Sequence, residues 1–336
     1  MEVKLRDNKN YNLGIEFLRM ILSFWVLVHH CGIIKTKIIK QIFFINPFHV
    51  PTFVIISFYF LYKTIIFRNI TKIKQRLERL LIPYLIWPII IYIINNSLNI
   101  FFNLYYKYSL IELVSQLLIG RSFQFILWYH FNIIFITILL TIICFIFHKN
   151  FLFVLLFLSV LSYFLQYSYL NYKFFINYSI NISLSVGLIP EIFPIAVTGI
   201  LVASIDFIKT LKKFKYKSIL LSIITLIIIR KYDIFYNIKG IYYQGIRQTI
   251  SALLLFFIFL LFSLDNIKYK AIFKQITSYT GGIYYLHIIL PKYMYKIKLI
   301  RYRTVLGCII NYLTGYLICF IGISIFKKTK LKYLFY

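Results

Sequence analysis

The side chains in this sequence best suited to chemistry are Glu16, Arg19 and His30, which interrupt the apolar run EFLRMILSFWVLVHH. On a helix of about 100° per residue, Arg19 and His30 fall within about 20° of one another. Glu16 lies about 60° from Arg19 and about 40° from His30, so all three share a face. An ionisable residue in a membrane span costs about 2.5–3.5 kcal/mol on insertion scales and marks a functional position. That face is therefore expected to line protein rather than lipid. Glu16 and Arg19, at i and i+3, can pair, and they also suit anchoring at the head groups. His30 lies about 16 Å further along the axis. Imidazole exchanges protons near neutral pH, so His30 is a candidate general base, although a single His in an apolar run is ordinarily packed. His29, about 80° from Arg19 on the other side, is a second polar neighbour.

A second set lies in KIKQRLERLLIPYLIW, where Arg76 and Arg79 flank Glu78. The guanidinium fork suits phosphate. The same residues also read as cationic anchors that fix helix orientation.

The elements that must hold these residues are membrane helices. Of 336 residues, 61% are hydrophobic and 14% charged, far from the roughly even apolar share and quarter charged of soluble domains. About 20 apolar residues cross a bilayer. Ten segments qualify, at roughly 13–34, 46–66, 80–101, 123–147, 151–169, 183–205, 217–230, 247–264, 276–295 and 304–326. The expected fold is an all-α polytopic bundle of about ten transmembrane helices. It forms a single integral membrane domain over 1–336 with no appended soluble domain. Prolines within or beside the spans predict kinks near cavities.

The net charge of +29 comes from 38 Lys and Arg against 9 Asp and Glu. Because the cations cluster between apolar runs, they point to lipid head groups and not to nucleic acid. Most fall on the side that holds the N-terminus, which predicts cytoplasmic N- and C-termini. The loop Lys292–Arg303 runs against that bias. Cys31, Cys144, Cys308 and Cys319 form no C-x-x-C pair, so neither a disulfide framework nor a metal site is expected. The polar first residues followed by Glu16 and Arg19 make a poor secretory signal, so the first helix is expected to be retained.

Taken in order, these residues resemble the bacterial membrane acyltransferase-3 family, which acylates cell-surface glycans. Arg19 and His30 match its Arg-(ten residues)-His pattern, with Glu16 at the acidic position. Val50–Lys63 resembles its second-helix segment through Pro51, Phe53 and Ser57, with Phe58 where the family has Gly. Arg76 and Arg79 fit an R-x-x-R pattern before Leu81–Tyr84. Leu127–Tyr129 resembles L-W-[FY], and the run ending at His287 resembles I-Y-L-x-H.

The resemblance implies transfer of an acyl group, usually acetyl, from cytoplasmic acyl-CoA to a sugar hydroxyl of a surface polysaccharide or its lipid-linked precursor. It implies the plasma (inner) membrane as the location and acetyl-CoA or another acyl-CoA as donor substrate. His30 would be the base. Arg19 would stabilise thioester negative charge or bind donor phosphate, with Glu16 holding it. Arg76 and Arg79 would bind the CoA phosphates, and Ser57, Trp128 and His287 would contact substrate. The rival reading is a glycan flippase or transporter, since embedded charges also line translocation paths. The inverted repeats many transporters carry are not seen in the sequence. A surface-polysaccharide polymerase would be expected to have a larger outer loop than residues 102–122.

Overall fold

Asn12 opens the first helix by using both ends of its amide. Its Oδ1 accepts from the Ile15 backbone N–H at 3.0 Å, an N-cap. Its Nδ2 donates to the Leu260 carbonyl at 3.0 Å, tying this helix start to a chain segment 248 residues later. The helix is α1 (Leu13–Cys31). In this computed structural model it is followed by α2 (His49–Ile66), α3 (Ile70–Phe102), α4 (Leu110–Ile119), α5 (Trp128–Ile146) and α6 (Phe151–Phe175). Then come α7 (Ile189–Ser204), α8 (Lys215–Phe235), α9 (Ile246–Leu261), α10 (Thr280–Lys296) and α11 (Val305–Phe326). Short 3-10 turns lie at His148–Asn150 and Lys330–Leu334.

The structure describes residues 12–31, 47–102, 109–119, 128–175, 188–205, 211–236, 246–262, 275–296 and 304–335, and none of these is in a strand. Among the described residues, six helical stretches are long and apolar enough to cross a membrane: those of α1, α2, α3, α5 and α11, and His148–Leu165 leading into α6. α7 and α9 are apolar but shorter. Phe153, Phe157, Val160 and Phe164 on α6, and Leu220, Leu221, Ile224 and Ile228 on α8, are exposed. Such stripes would be a liability in water and are at ease against lipid. The chain is a multi-pass, all-α membrane bundle.

Three boundaries differ from those expected. The stretch before residue 80 is helical from Ile70, because Lys, Gln, Arg, Glu and Leu all favour helix and no Gly or Pro intervenes. α8 runs on to Phe235 past Arg230 and Asp233, charges that end a hydropathy window but are packed here by neighbouring helices. α4 lies within the expected outer loop and packs on α3, where the Tyr84 hydroxyl donates to the Leu117 carbonyl at 3.0 Å. Residues 32–34, 46, 123–127, 183–187 and 263–264 of the expected spans lie outside the described residues.

Proline in α7 shows how a membrane helix absorbs a lost hydrogen bond. Pro194 has no N–H for the Pro190 carbonyl, one turn back. That carbonyl instead accepts from Ser162 Oγ of α6 at 2.9 Å. Ser162→Ala is expected to cost about 1 kcal/mol, read as a fall in Tm of the detergent-solubilised protein.

Among the described residues two large apolar cores build most of the bundle, and a small third one joins Leu27 and Val28 of α1 to Cys308 of α11. In one, Leu18, Leu22 and Trp25 of α1 pack with Val54, Ile55 and Phe58 of α2, Ile192 and Phe193 of α7, and Phe256 of α9. In the other, Trp87 of α3, Ile283 and Leu286 of α10 and Cys319 of α11 enclose Leu334 from the chain's C-terminal turn. Trp87 Nε1 donates to the Leu334 carbonyl at 3.2 Å, and Lys330 meets Glu78 at 2.9 Å. The last turn thus clasps α3 from Glu78 to its middle at Trp87. α1 touches both cores: the Ser23 and Tyr312 hydroxyls lie 2.7 Å apart and both donate to the Met20 carbonyl.

Candidate active site

On α1, Arg19 Nη1 donates to both carboxylate oxygens of Glu16, at 3.2 and 3.3 Å. The pair predicted from i,i+3 spacing is formed and half-buried, with side-chain exposures of 35% for Arg19 and 16% for Glu16. Helical side chains lean toward the N-terminus, so this ion pair points away from His30. Across from it, the charges of Arg19 and Arg76 both act on the Tyr129 phenol of α5.

Arg76 is turned inward. Its Nη2 donates to Ser57 Oγ at 2.7 Å, its Nη1 to the Ser57 carbonyl at 3.3 Å and its Nε to Thr137 Oγ1 at 3.5 Å. Its guanidinium also lies 5.6 Å from the centre of the Phe58 ring. Ser57 and Arg76, assigned separately to substrate and donor by resemblance, form one unit joining α2, α3 and α5. The described partners of Arg76 are neutral, so its charge is not cancelled locally. Arg79 is exposed and lies 5.7 Å over the Tyr333 ring of the C-terminal turn. The two arginines thus have different partners and do not form a single fork. Ser57→Ala removes a bond to a charged group and is expected to cost about 1.5–3 kcal/mol of stability, checked by thermal unfolding.

Phe58, expected to fill space where the family has Gly, is fully buried. The close helix approach on α2 is made from the other side, by Gly199 of α7. A Cβ there would lie 2.7 Å from the Ile55 carbonyl oxygen and 3.2 Å from the Tyr59 nitrogen.

At the far end of α1 the histidines converge. His30 and His287 of α10 have ring centres 4.8 Å apart. His29 lies 5.6 Å from His30 and 5.5 Å from His49 of α2. Tyr284 sits 5.2 Å from His287, 5.2 Å from His130 and 5.3 Å from Tyr129. Five of the chain's six histidines therefore join one network of rings. Among the described residues, no three His, Cys, Asp or Glu are grouped to hold a metal ion.

Within this network His30 is exposed and His287 is buried. His287 Nδ1 bonds the Tyr284 carbonyl one turn back. A carbonyl only accepts, so the proton sits on Nδ1 and Nε2 carries a lone pair. Nε2 is buried and has no hydrogen-bond partner among the described residues. It is a base with nothing yet to accept from.

Trp128 is half-buried at the start of α5, edge-on to Tyr129 at 6.1 Å. His49 and His130 drew no attention in the sequence, since each stands alone in an apolar run. For His130 the signal was its place directly after Trp128 and Tyr129. It lies buried 4.6 Å from Tyr285, and its Nδ1 lacks a described partner.

The fold and site define a membrane bundle with a Glu16–Arg19 ion pair toward one end of α1 and a cluster of histidine rings at the other. A family model, Acyl_transf_3, described as an acyltransferase domain, matches residues 12–327. The chain belongs to the acyltransferase-3 family, and the protein is a membrane acyltransferase. No curated protein and no solved structure matches it.

Proposed function

We propose that the protein is an O-acyltransferase moving an acyl group, acetyl in the simplest case, from acyl-CoA to a sugar hydroxyl of a surface glycan or its lipid-linked precursor. The observation that carries this reading is the His30–His287 pair, with a buried, unoccupied Nε2 lone pair beside an exposed imidazole. A sugar hydroxyl is a poor nucleophile and needs such a base. The hydroxyl proton passes to the pair as its oxygen attacks the thioester carbonyl. The C–S bond then breaks, and the proton leaves with the CoA thiol.

The distance along α1 divides the labour. Arg19 lies about 16 Å from His30, leans away from it and is paired with Glu16. It is therefore placed for donor phosphate and not for a carbonyl held at His30, and Arg76 stands on the same side. An extended pantetheine arm covers such a span and would bring the thioester to the histidines past Tyr129 and Tyr284. Trp128 and Tyr129 offer aromatic surface on that path, and Arg79 a cation at its entrance. In this reading the termini are cytoplasmic, the acyl-CoA enters from that face of the inner membrane, and lipids surround the bundle.

The test is label transfer from radiolabelled acetyl-CoA to glycan in membranes holding the full chain. Alkali-labile label on the glycan is expected. Movement of a lipid-linked glycan without any label transfer would instead identify a flippase.

A further inference from the structure

The turn that ends α2 holds an arginine where glycine is the usual residue. The Asn69 N–H donates to the Thr64 carbonyl at 3.0 Å and the Arg68 N–H to the Ile65 carbonyl at 2.8 Å. This pair of bonds closes a helix through one left-handed residue. Arg68 is that residue, with φ 47°. A side chain is strained there and glycine is not. What explains Arg68 is the reach of its guanidinium.

That group crosses to α5. It lies 5.2 Å over the Phe145 ring, and Nη2 donates to the Cys144 and Phe145 carbonyls at 3.5 and 3.4 Å. These bonds cap the end of α5 with a single nitrogen. The described partners of Arg68 are all neutral, Nε and Nη1 are not used by them, and the residue is exposed. Its charge is open to an anion.

Beside it the seam between α3 and α5 is hollow. Ile70 and Ile73 of α3 and Thr141, Ile142, Phe145 and Ile146 of α5 line a groove of about 370 Å³. Thr141 Oγ1 donates to the Thr137 carbonyl at 2.7 Å, so its hydroxyl is satisfied within α5 and the wall is apolar. Ile70, Ile142, Phe145 and Ile146 are exposed, which puts the groove on the outside of the bundle. Phe145 joins the two features, since its ring both carries Arg68 and lines the groove. α3 starts at Ile70, so the positive end of its dipole lies at the same mouth.

We infer that this groove binds an anionic phospholipid, with one acyl chain between Ile73 and Ile142 and the head-group phosphate on Arg68. Charge complementarity selects the head group, because an uncancelled guanidinium fork suits phosphate. The apolar wall selects the chain. The pantetheine arm of an acyl-CoA carries amides that such a wall would leave without partners. Arg76 meets Thr137 one turn from Thr141 along α5, so a lipid seated here braces the seam that holds Arg76. The inference needs only a membrane protein and does not depend on the donor or acceptor proposed above.

The test is native mass spectrometry of the delipidated full chain in neutral detergent. The probes are dioleoyl phosphatidylglycerol and dioleoyl phosphatidylcholine. Phosphatidylglycerol is expected to bind its first site at least about five-fold tighter, the scale of one cation facing an anionic head group. Arg68→Gly suits the left-handed turn, so it is expected to fold and to lose that preference. Arg68→Lys is expected to keep part of it. Ile142→Trp fills the groove and leaves Arg68 in place, and is expected to weaken both lipids. Equal binding of the two lipids by wild type overturns the proposal, as does an undiminished preference in Arg68→Gly. Unchanged affinities in Ile142→Trp would mean a bare charge contact without a groove, and overturn it too. Displacement of phosphatidylglycerol from wild type by acetyl-CoA assigns the groove to the donor and likewise overturns it.

Discussion

His287→Gln in the full-length protein is expected to lower the rate of acyl transfer by about 10²–10⁴-fold, the usual contribution of a positioned general base. Glutamine fills much of the same volume and still offers polar atoms to the Tyr284 carbonyl, so the α10 packing survives. What it lacks is the basic lone pair on Nε2, buried on a ring whose centre lies 4.8 Å from that of His30. The loss is therefore expected in kcat, with KM for acyl-CoA little changed, since Arg19 and Arg76 lie toward the other end of the site. Steady-state kinetics on purified protein, alongside Tm, distinguish this from unfolding. A variant that melts normally and keeps its kcat would leave His287 as a wall of the site and no more.

Gly199→Leu is expected to have the largest effect on stability. A Cβ at this position meets backbone atoms of α2 at 2.7 and 3.2 Å, and backbone cannot swing aside as a flexible side chain does. Helices in lipid gain their association from such close small-residue contacts. Overpacking commonly costs about 1–3 kcal/mol and more where relaxation is blocked. Here α2 must move, and it carries Ser57 and Phe58, which hold Arg76. Gly199→Leu is expected to aggregate on size exclusion in mild detergent. Gly199→Ala is expected to assemble, but with a raised KM for acyl-CoA. A Leu variant that elutes and melts like wild type would contradict the packing described.

The sequence disclosed what one helix can disclose. Glu16, Arg19 and His30 share a face by angular spacing alone, and the Glu16–Arg19 pair is formed as that spacing requires. Arg76 and Arg79 show the limit: three positions apart in one run they were read together, but their described partners differ. Ser57 and Thr137 turned Arg76 inward, and Tyr333, more than 250 residues away, faces Arg79. His49 and His130 were invisible for the same reason, since their meaning lies in rings from other helices. The all-α bundle followed from apolar runs, whereas the length of α3 and α8 did not. Helix propensity and packed charges carry both beyond where hydropathy stops. The role of Gly199 could not be read from α7 alone, because a glycine in an apolar helix looks alike whether it faces lipid or a neighbouring backbone.

The most direct test of the central claim is acyl transfer by His30→Ala against wild type in purified, acetyl-CoA-saturated protein with a surface-glycan acceptor. Wild type is predicted to place alkali-labile label on the glycan. His30→Ala is predicted to lose that transfer by at least about 100-fold while still binding acetyl-CoA. Transfer at the wild-type rate by a folded His30→Ala protein would contradict the account.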